Sequence, residues 1–389
     1  TVRSRLPHVR FWPRRAPPEL PPSWDELLPL EALLRAQVDD VLAIEQRQLW
    51  GRSLAFGGRL RLPPAAALGV LRERLAAHGY TPFLKEEGGS TWLYVLPRAE
   101  VMDRPNPWIN LALFLGTVLT TLLAGAWPLS GVSLGALVAD PTRLLEGAPF
   151  AASLLSILVV HEFGHYTFGR RHGMPISLPY FIPAPPPFFP VGTLGAVIRL
   201  RGPARDRRAL FDMAVAGPLA GLALALPILA YGFSRAVVVP KERLLGGGLE
   251  LGESLLLRAV QWWVLGPVPD SHVVVLDSVG VAAWFGLFVT ALNLIPAGQL
   301  DGGHLVYALF GPRHRLISKL TVGGLVALGA VSGSLTWLVW AVLITAVMGF
   351  QHAPPMDDVT PLDPGRRALG LFALALLVVL LPPVPIALE

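Results

Sequence analysis

A chain of 389 residues that is 53% hydrophobic and only 15% charged, with mean hydropathy +0.53, lies well below the ~25% charge of an ordinary soluble domain. That balance excludes a purely soluble multidomain protein and points to a polytopic membrane protein with a polar extension. The net charge of +5 comes from basic residues clustered between apolar segments, with no aromatic–basic platform, which excludes nucleic acid as a partner; with no cysteine, any metal must be held by His, Asp or Glu.

Residues 1–22, rich in Pro and Arg, predict a flexible basic arm and lack the apolar core of a signal peptide. Residues 23–105 predict a small α+β soluble domain, read as a water-facing cap. Its elements are an amphipathic helix over Trp24–Gln48, a strand in SLAFGGRLRL, a helix opened by Pro and closed by Gly79, and a hairpin about Gly88-Gly89. From Pro107 the character changes. Membrane spans are expected at 107–127, 149–169, 209–233, 275–296, 316–332, 334–350 and 367–388, each near the ~17–20 apolar residues that cross a bilayer core. Arg170, Arg171, Arg199, Arg201, Arg205, Arg207 and Arg208 follow the second span, Arg313, Arg315 and Lys319 the fourth, and Arg366 and Arg367 precede the last. Excess positive charge on the cytosolic side then gives seven crossings with the amino-terminal domain in the cytosol. The loop from 234 to 274, with Arg235, Lys241, Arg243 and Arg258, runs against that pattern.

Within the second span, LVVHEFGHYTFGRRHG (158–173) sets His161 and His165 four residues apart. On a helix they share one face, ~6 Å apart along the axis, and two imidazoles so placed can hold one Zn²⁺. Glu162, beside the first, can take a proton from the water that such a metal activates. The alternative is two packing histidines and a paired glutamate. It is disfavoured because a lone ionisable residue at a helix centre in the bilayer costs ~2.5 kcal/mol or more. Gly164 predicts close packing on another backbone, since glycine in a helix interior costs up to ~1 kcal/mol against Ala. Arg170 and Arg171 mark the cytosolic exit, so the pair lies ~8–14 Å beneath that surface and needs only a short water-filled cavity.

A catalytic zinc takes a third protein ligand. Asp301, in NLIPAGQLDGGH (293–304), follows a helix running toward the same side; Pro296 and Gly298 break that helix, and Gly302 and Gly303 allow a sharp turn where irregular backbone lines a cavity. Depth favours Asp301, although spacing alone balances a ligand against a turn or helix cap. His304 and His172 are rival ligands, read instead as polar residues at the membrane surface.

Together, HEFGH and NLIPAGQLDGGH resemble the site-2 protease family of intramembrane zinc metalloproteases, whose N-x-x-P-x-x-x-L-D-G pattern is met by Asn293, Pro296, Leu300, Asp301 and Gly302. The resemblance implies an all-α polytopic membrane protein of about six to seven transmembrane helices with a membrane-associated β-hairpin. Residues 106–310 would form the protease core and 311–389 additional helices. It further implies Zn²⁺ on His161, His165 and Asp301, Glu162 as catalytic base, and Asn293 positioning the site or stabilising the oxyanion. From the residues alone, Asn293 is an amide able to donate to a tetrahedral intermediate or to a neighbouring helix. PYFIPAPPPFFPVGTLGAVIRLRG (179–202) matches the family hairpin proposed to hold substrate extended by strand addition. Gly217 and Gly221, in FDMAVAGPLAG, read as a small-residue packing face. The connection from third to fourth span, about 40 residues, is too short for the PDZ domain of many bacterial relatives, and the soluble domain comes first, as in the plant plastid branch. The expected partners are a transmembrane protein or peptide substrate and the lipid bilayer, in a bacterial or archaeal cell membrane with the site toward the cytosol. A competing reading is a membrane zinc-binding protein or metal transporter using the same ligands, because broken helices also build transporter sites.

Overall fold

The structure, a computed structural model, describes residues 24–50, 52–98, 106–243 and 249–388; the expected arm at 1–22 lies outside the described residues. The chain divides into two units. One takes residues up to Arg104 with Gly202–Leu210 and Ala353–Asp363; the other takes Pro105–Arg201, Phe211–His352 and Pro364–Glu389.

The first unit is built on an antiparallel sheet of β1 (Leu42–Trp50), β2 (Ser53–Leu60), β3 (Tyr80–Glu87) and β4 (Ser90–Pro97), in spatial order β1-β2-β4-β3, with helices α1 (Trp24–Ala36) and α2 (Pro64–Ala76). Proline opens α2, where the first turn needs no donor. Its Ala67, Leu68, Leu71 and Leu75 fall on one buried face. The β3–β4 turn uses Gly88 (φ 61°) and Gly89 (φ 80°), the pair of positive φ angles that a tight hairpin turn matched to strand twist requires. The helix expected over Trp24–Gln48 stops at Ala36. Asp39 and Asp40 favour a turn, Arg74 grips Asp40 at 2.7 and 2.9 Å, and the rest pairs with β2 from Leu42↔Leu60 to Trp50↔Ser53. Long-range pairing there overrides local helical periodicity.

Strand β3 is the sheet's last strand; residues 356–358 bond to it at Leu84, and residues 204–205 bond in turn to that segment. Leu84 N donates to Met356 O (2.7 Å) and Asp358 N to Leu84 O (3.0 Å), while Met356 N and Asp357 N donate to the carbonyls of Ala204 (2.8 Å) and Arg205 (2.9 Å). Arg207 Nε donates to Asp358 Oδ1 at 2.8 Å. An exposed strand edge is thereby closed, and Met356 joins the core of Leu34, Leu42, Phe56, Leu71 and Leu93.

The second unit is mostly helical. In chain order it holds α3 (Pro107–Ala124), α4 (Leu134–Ala139), α5 (Ala148–Arg171), the hairpin β5 (Tyr180–Pro183) and β6 (Thr193–Val197), then α6 (Arg207–Ser234), whose first turn belongs to the other unit. There follow β7 (Val237–Pro240), β8 (Leu249–Leu251), α7 (Leu255–Leu265), β9 (His272–Val275), α8 (Ser278–Asn293), α9 (Asp301–Phe310), α10 (His314–Ser332), α11 (Leu335–Leu343), α12 (Pro364–Leu380) and β10 (Ile386–Leu388). Four helical stretches among the described residues are long and apolar enough to cross a membrane: Pro107–Trp127, Pro141–Arg171, Arg207–Ser234 and Asp301–Ser332. The expected spans at 275–296 and 334–350 correspond to shorter apolar helices, Ser278–Asn293 and Leu335–Met348. The apolar helix α7 is an element the sequence reading left as loop. Close helix contacts position the site. Alpha-carbon crowding is explicit at Gly286 of α8, where a Cβ would lie 2.8 Å from Ile157 of α5.

Candidate metal centre

Helix α5 carries His161, Glu162 and His165 on its buried side, on the same face as Leu154, Leu158 and Gly169. That face packs on α8. It also meets α6 at Gly164, where a Cβ would come within 2.7 Å of the Ala216 carbonyl, so the glycine in the middle of the motif is required by backbone-to-backbone contact.

The two imidazoles rest on α6. A Cβ on Gly217 would stand 2.1 Å from Nε2 of His165, and one on Gly221 3.1 Å from Cβ and Nδ1 of His161. These glycines form the floor under both rings, a role beyond the packing face read from the sequence. The carbonyl of Met213, one turn before Gly217, lies 2.8 Å from His165 Nδ1. A carbonyl only accepts, so Nδ1 carries the proton and Nε2 keeps its lone pair for a metal. No sequence signal announces Met213, because its backbone does the work.

The third group arrives from a broken helix. Helix α8 ends at Asn293, residues 294–300 are irregular, and Asp301 opens α9. The sharp turn falls at Gly298 (φ 58°), whereas Gly302 and Gly303 lie inside α9. Side chains there would strike the carbonyls of Leu294 and Gly298. Their absence lets 294–298 fold back against the first turn of α9 and fix Asp301 in place.

The donor atoms converge. His161 Nε2 and His165 Nε2 are 3.1 Å apart, and Asp301 Oδ2 is 3.3 Å from the first and 3.2 Å from the second. A tetrahedral zinc with bonds of ~2.0–2.1 Å separates its ligand atoms by ~3.3 Å, so this triangle has the size of one face of such a site. His161, His165 and Asp301 form the one cluster among the described residues whose His and carboxylate groups are placed to hold a metal ion, and the mixed nitrogen and oxygen set suits zinc. Asn293 reaches the same place, with Nδ2 3.3 Å from His161 Nε2. Glu162 is buried next to His161. The two rival histidines are engaged elsewhere: His304 Nδ1 lies 2.6 Å from His352 Nε2, and His172 Nε2 lies 2.9 Å from Asp212 Oδ2.

The hairpin β5–β6 runs along α3 and reaches α5 through β6. Asn110 Nδ2 donates to the carbonyls of Leu178 (3.1 Å) and Pro179 (2.9 Å), and Thr120 Oγ1 to Gly192 O (2.6 Å). Leu194 of β6 is 56% exposed and Val197 53%.

Residues 149–335 match the profile of Peptidase family M50. The chain is 28% identical over 363 residues to the probable zinc metalloprotease EGY2, chloroplastic, of Oryza sativa subsp. indica, covering 89% of this chain and 64% of the relative. It is 27% identical over 378 residues to EGY2 of Arabidopsis thaliana (92% and 66%), and 31% identical over 244 residues to the probable zinc metalloprotease EGY1, chloroplastic, of Arabidopsis thaliana (61% and 43%). The chain therefore spans just under two thirds of the rice relative's length. No solved structure matches it.

Proposed function

We propose that this chain, whose residues 149–335 match peptidase family M50, is a zinc metalloendopeptidase that cleaves a peptide bond within or near a transmembrane segment of a membrane protein. The carrying observation is the triangle of His161 Nε2, His165 Nε2 and Asp301 Oδ2, sized for one zinc ion. Zinc in such a site supplies Lewis-acid polarisation of a carbonyl and acidification of water. Glu162 then takes the proton from the attacking water and delivers it to the leaving amine. Asn293, by its Nδ2, donates a hydrogen bond to the oxygen that gains charge as the carbonyl is attacked. The substrate lies extended along β6, since a helical segment keeps its carbonyls in its own hydrogen bonds and strand addition releases them.

The four long apolar helices, the shorter apolar helices at 278–293 and 335–348 and helix α12 at 364–380 support seven crossings, α7 at 11 residues (~16 Å) being too short to cross, with residues 106–310 as the protease core, 311–389 as added helices and 23–105 as a soluble domain. The basic residues after α5 and at the start of α12 support an active site opening to the side where Arg170 and Arg171 lie, the cytosolic side if the host is bacterial or archaeal. The test is Glu162→Gln in purified protein with a membrane-protein substrate. Cleavage is expected to fall by at least about 10³-fold while one zinc per chain is kept; cleavage near the wild-type rate would overturn the assignment.

A further inference from the structure

We infer that Asp212 is a positioning residue for the metal centre, acting through the carbonyl of Met213. The inference rests on the metalloprotease reading above and extends it to a residue outside the ligand set.

One carboxylate gathers three helices. Arg366, in the first turn of α12, forks onto Asp212, with Nε 2.8 Å from Oδ1 and Nη2 2.7 Å from Oδ2. His172, which closes α5, brings Nε2 to 2.9 Å from the same Oδ2. The Asp212 side chain is only 14% exposed. Paired N–H groups on a carboxylate fix orientation as well as distance, because the fork is planar.

The place of this clamp gives it consequence. His172 lies seven residues after His165, two turns along the same face of α5. Asp212 immediately precedes Met213, whose carbonyl accepts the hydrogen bond from His165 Nδ1. Helices α5 and α6 are thus joined by two adjacent rungs, His165 to Met213 O and His172 to Asp212, and Arg366 braces the second. Without that brace, α6 can rotate or slide against α5 at its amino-terminal end. A displacement of about 1 Å there takes the carbonyl off the imidazole, and the ring loses both its tautomer and its aim. Arg366 cannot be replaced by Lys without loss, since an ammonium supplies a point charge and no fork.

The experiment measures zinc affinity of the full chain in detergent by chelator competition, with thermal midpoints recorded alongside. Asp212→Asn and Asp212→Ala are expected to weaken zinc binding at least about 10-fold, as partners of ligand histidines do. The control is Asp277→Asn. Asp277 receives Arg235 Nε at 2.8 Å at the opposite end of α6, so its loss also breaks a helix-tying ion pair but lies far from the ligands. It is expected to lower the midpoint and leave zinc affinity within about twofold. Equal weakening in both variants would make Asp212 merely structural and overturn the inference, as would Asp212 variants that bind zinc like the wild type. If Asp212→Ala does not fold, Arg366→Lys serves: a several-fold weakening supports the clamp, and wild-type affinity contradicts it. A wild-type chain that binds no zinc would instead defeat the metalloprotease reading on which the inference stands.

Discussion

His161, Glu162 and His165 were legible because spacing alone defines them: two imidazoles one helical turn apart and a carboxyl between. Asp301 stood out as a candidate by depth, and in the structure its Oδ2 lies 3.2 Å from His165 Nε2, which supports the proposal that it is the third ligand. The groups that hold these side chains in place were not legible. Met213 acts through a carbonyl that every residue has, and Gly217 and Gly221 act by what they lack. Their contacts give a graded expectation. Gly217→Ala places a methyl 2.1 Å from His165 Nε2 and Gly221→Ala sets one at 3.1 Å from His161, so zinc affinity should fall about 10-fold or more in the first variant and distinctly less in the second. Chelator titration of the two proteins checks the order; equal, unchanged affinities would show that the rings do not rest on α6.

Among the elements, those with strong local signals were read well. The β3–β4 hairpin follows from two glycines at positive φ, and α2 from an opening proline and a buried stripe. Strand β1 was missed because LAIEQRQLW (42–50) keeps a helix-like spacing while its partner β2 decides otherwise. The covering of β3 by residues 356–358 could not be read at all: it pairs segments some 270 positions apart, and no local pattern encodes such a meeting. The β5–β6 hairpin was anticipated from the family resemblance, on strand-like residues after a proline-rich loop, and the proposal that β6 holds substrate makes its exposed Leu194 a contact for an apolar segment. Leu194→Asp should raise KM for a membrane substrate at least about 10-fold, since a charge in an apolar contact costs on the order of 2 kcal/mol, with zinc content unchanged. An unaltered KM would remove β6 from the substrate path.

For the whole molecule, composition announced the membrane and left the span count open. Helix α6, 28 residues from Arg207 to Ser234, is ~42 Å long and exceeds the ~30 Å hydrocarbon core. Its two ends therefore belong on opposite faces, which puts Gly173 and Asp270 on different sides. The chain has no cysteine, so Gly173→Cys and Asp270→Cys can each be labelled without background. An impermeant maleimide should reach the two from opposite faces of sealed vesicles; labelling of both from one face would contradict a spanning α6. Several helices, α8 among them at 16 residues, are shorter than the core is thick, and hydropathy could not anticipate that α8 stops where irregular backbone takes over to deliver Asp301.

The most direct measurement is the zinc X-ray absorption spectrum of the purified chain. One zinc per chain is expected, in a nitrogen and oxygen shell at ~2.0–2.1 Å that includes two imidazoles, with the metal lost or much weakened in Asp301→Asn. A chain without zinc, a shell whose imidazole count is not two, or an unchanged spectrum in Asp301→Asn would contradict a metal centre built from His161, His165 and Asp301.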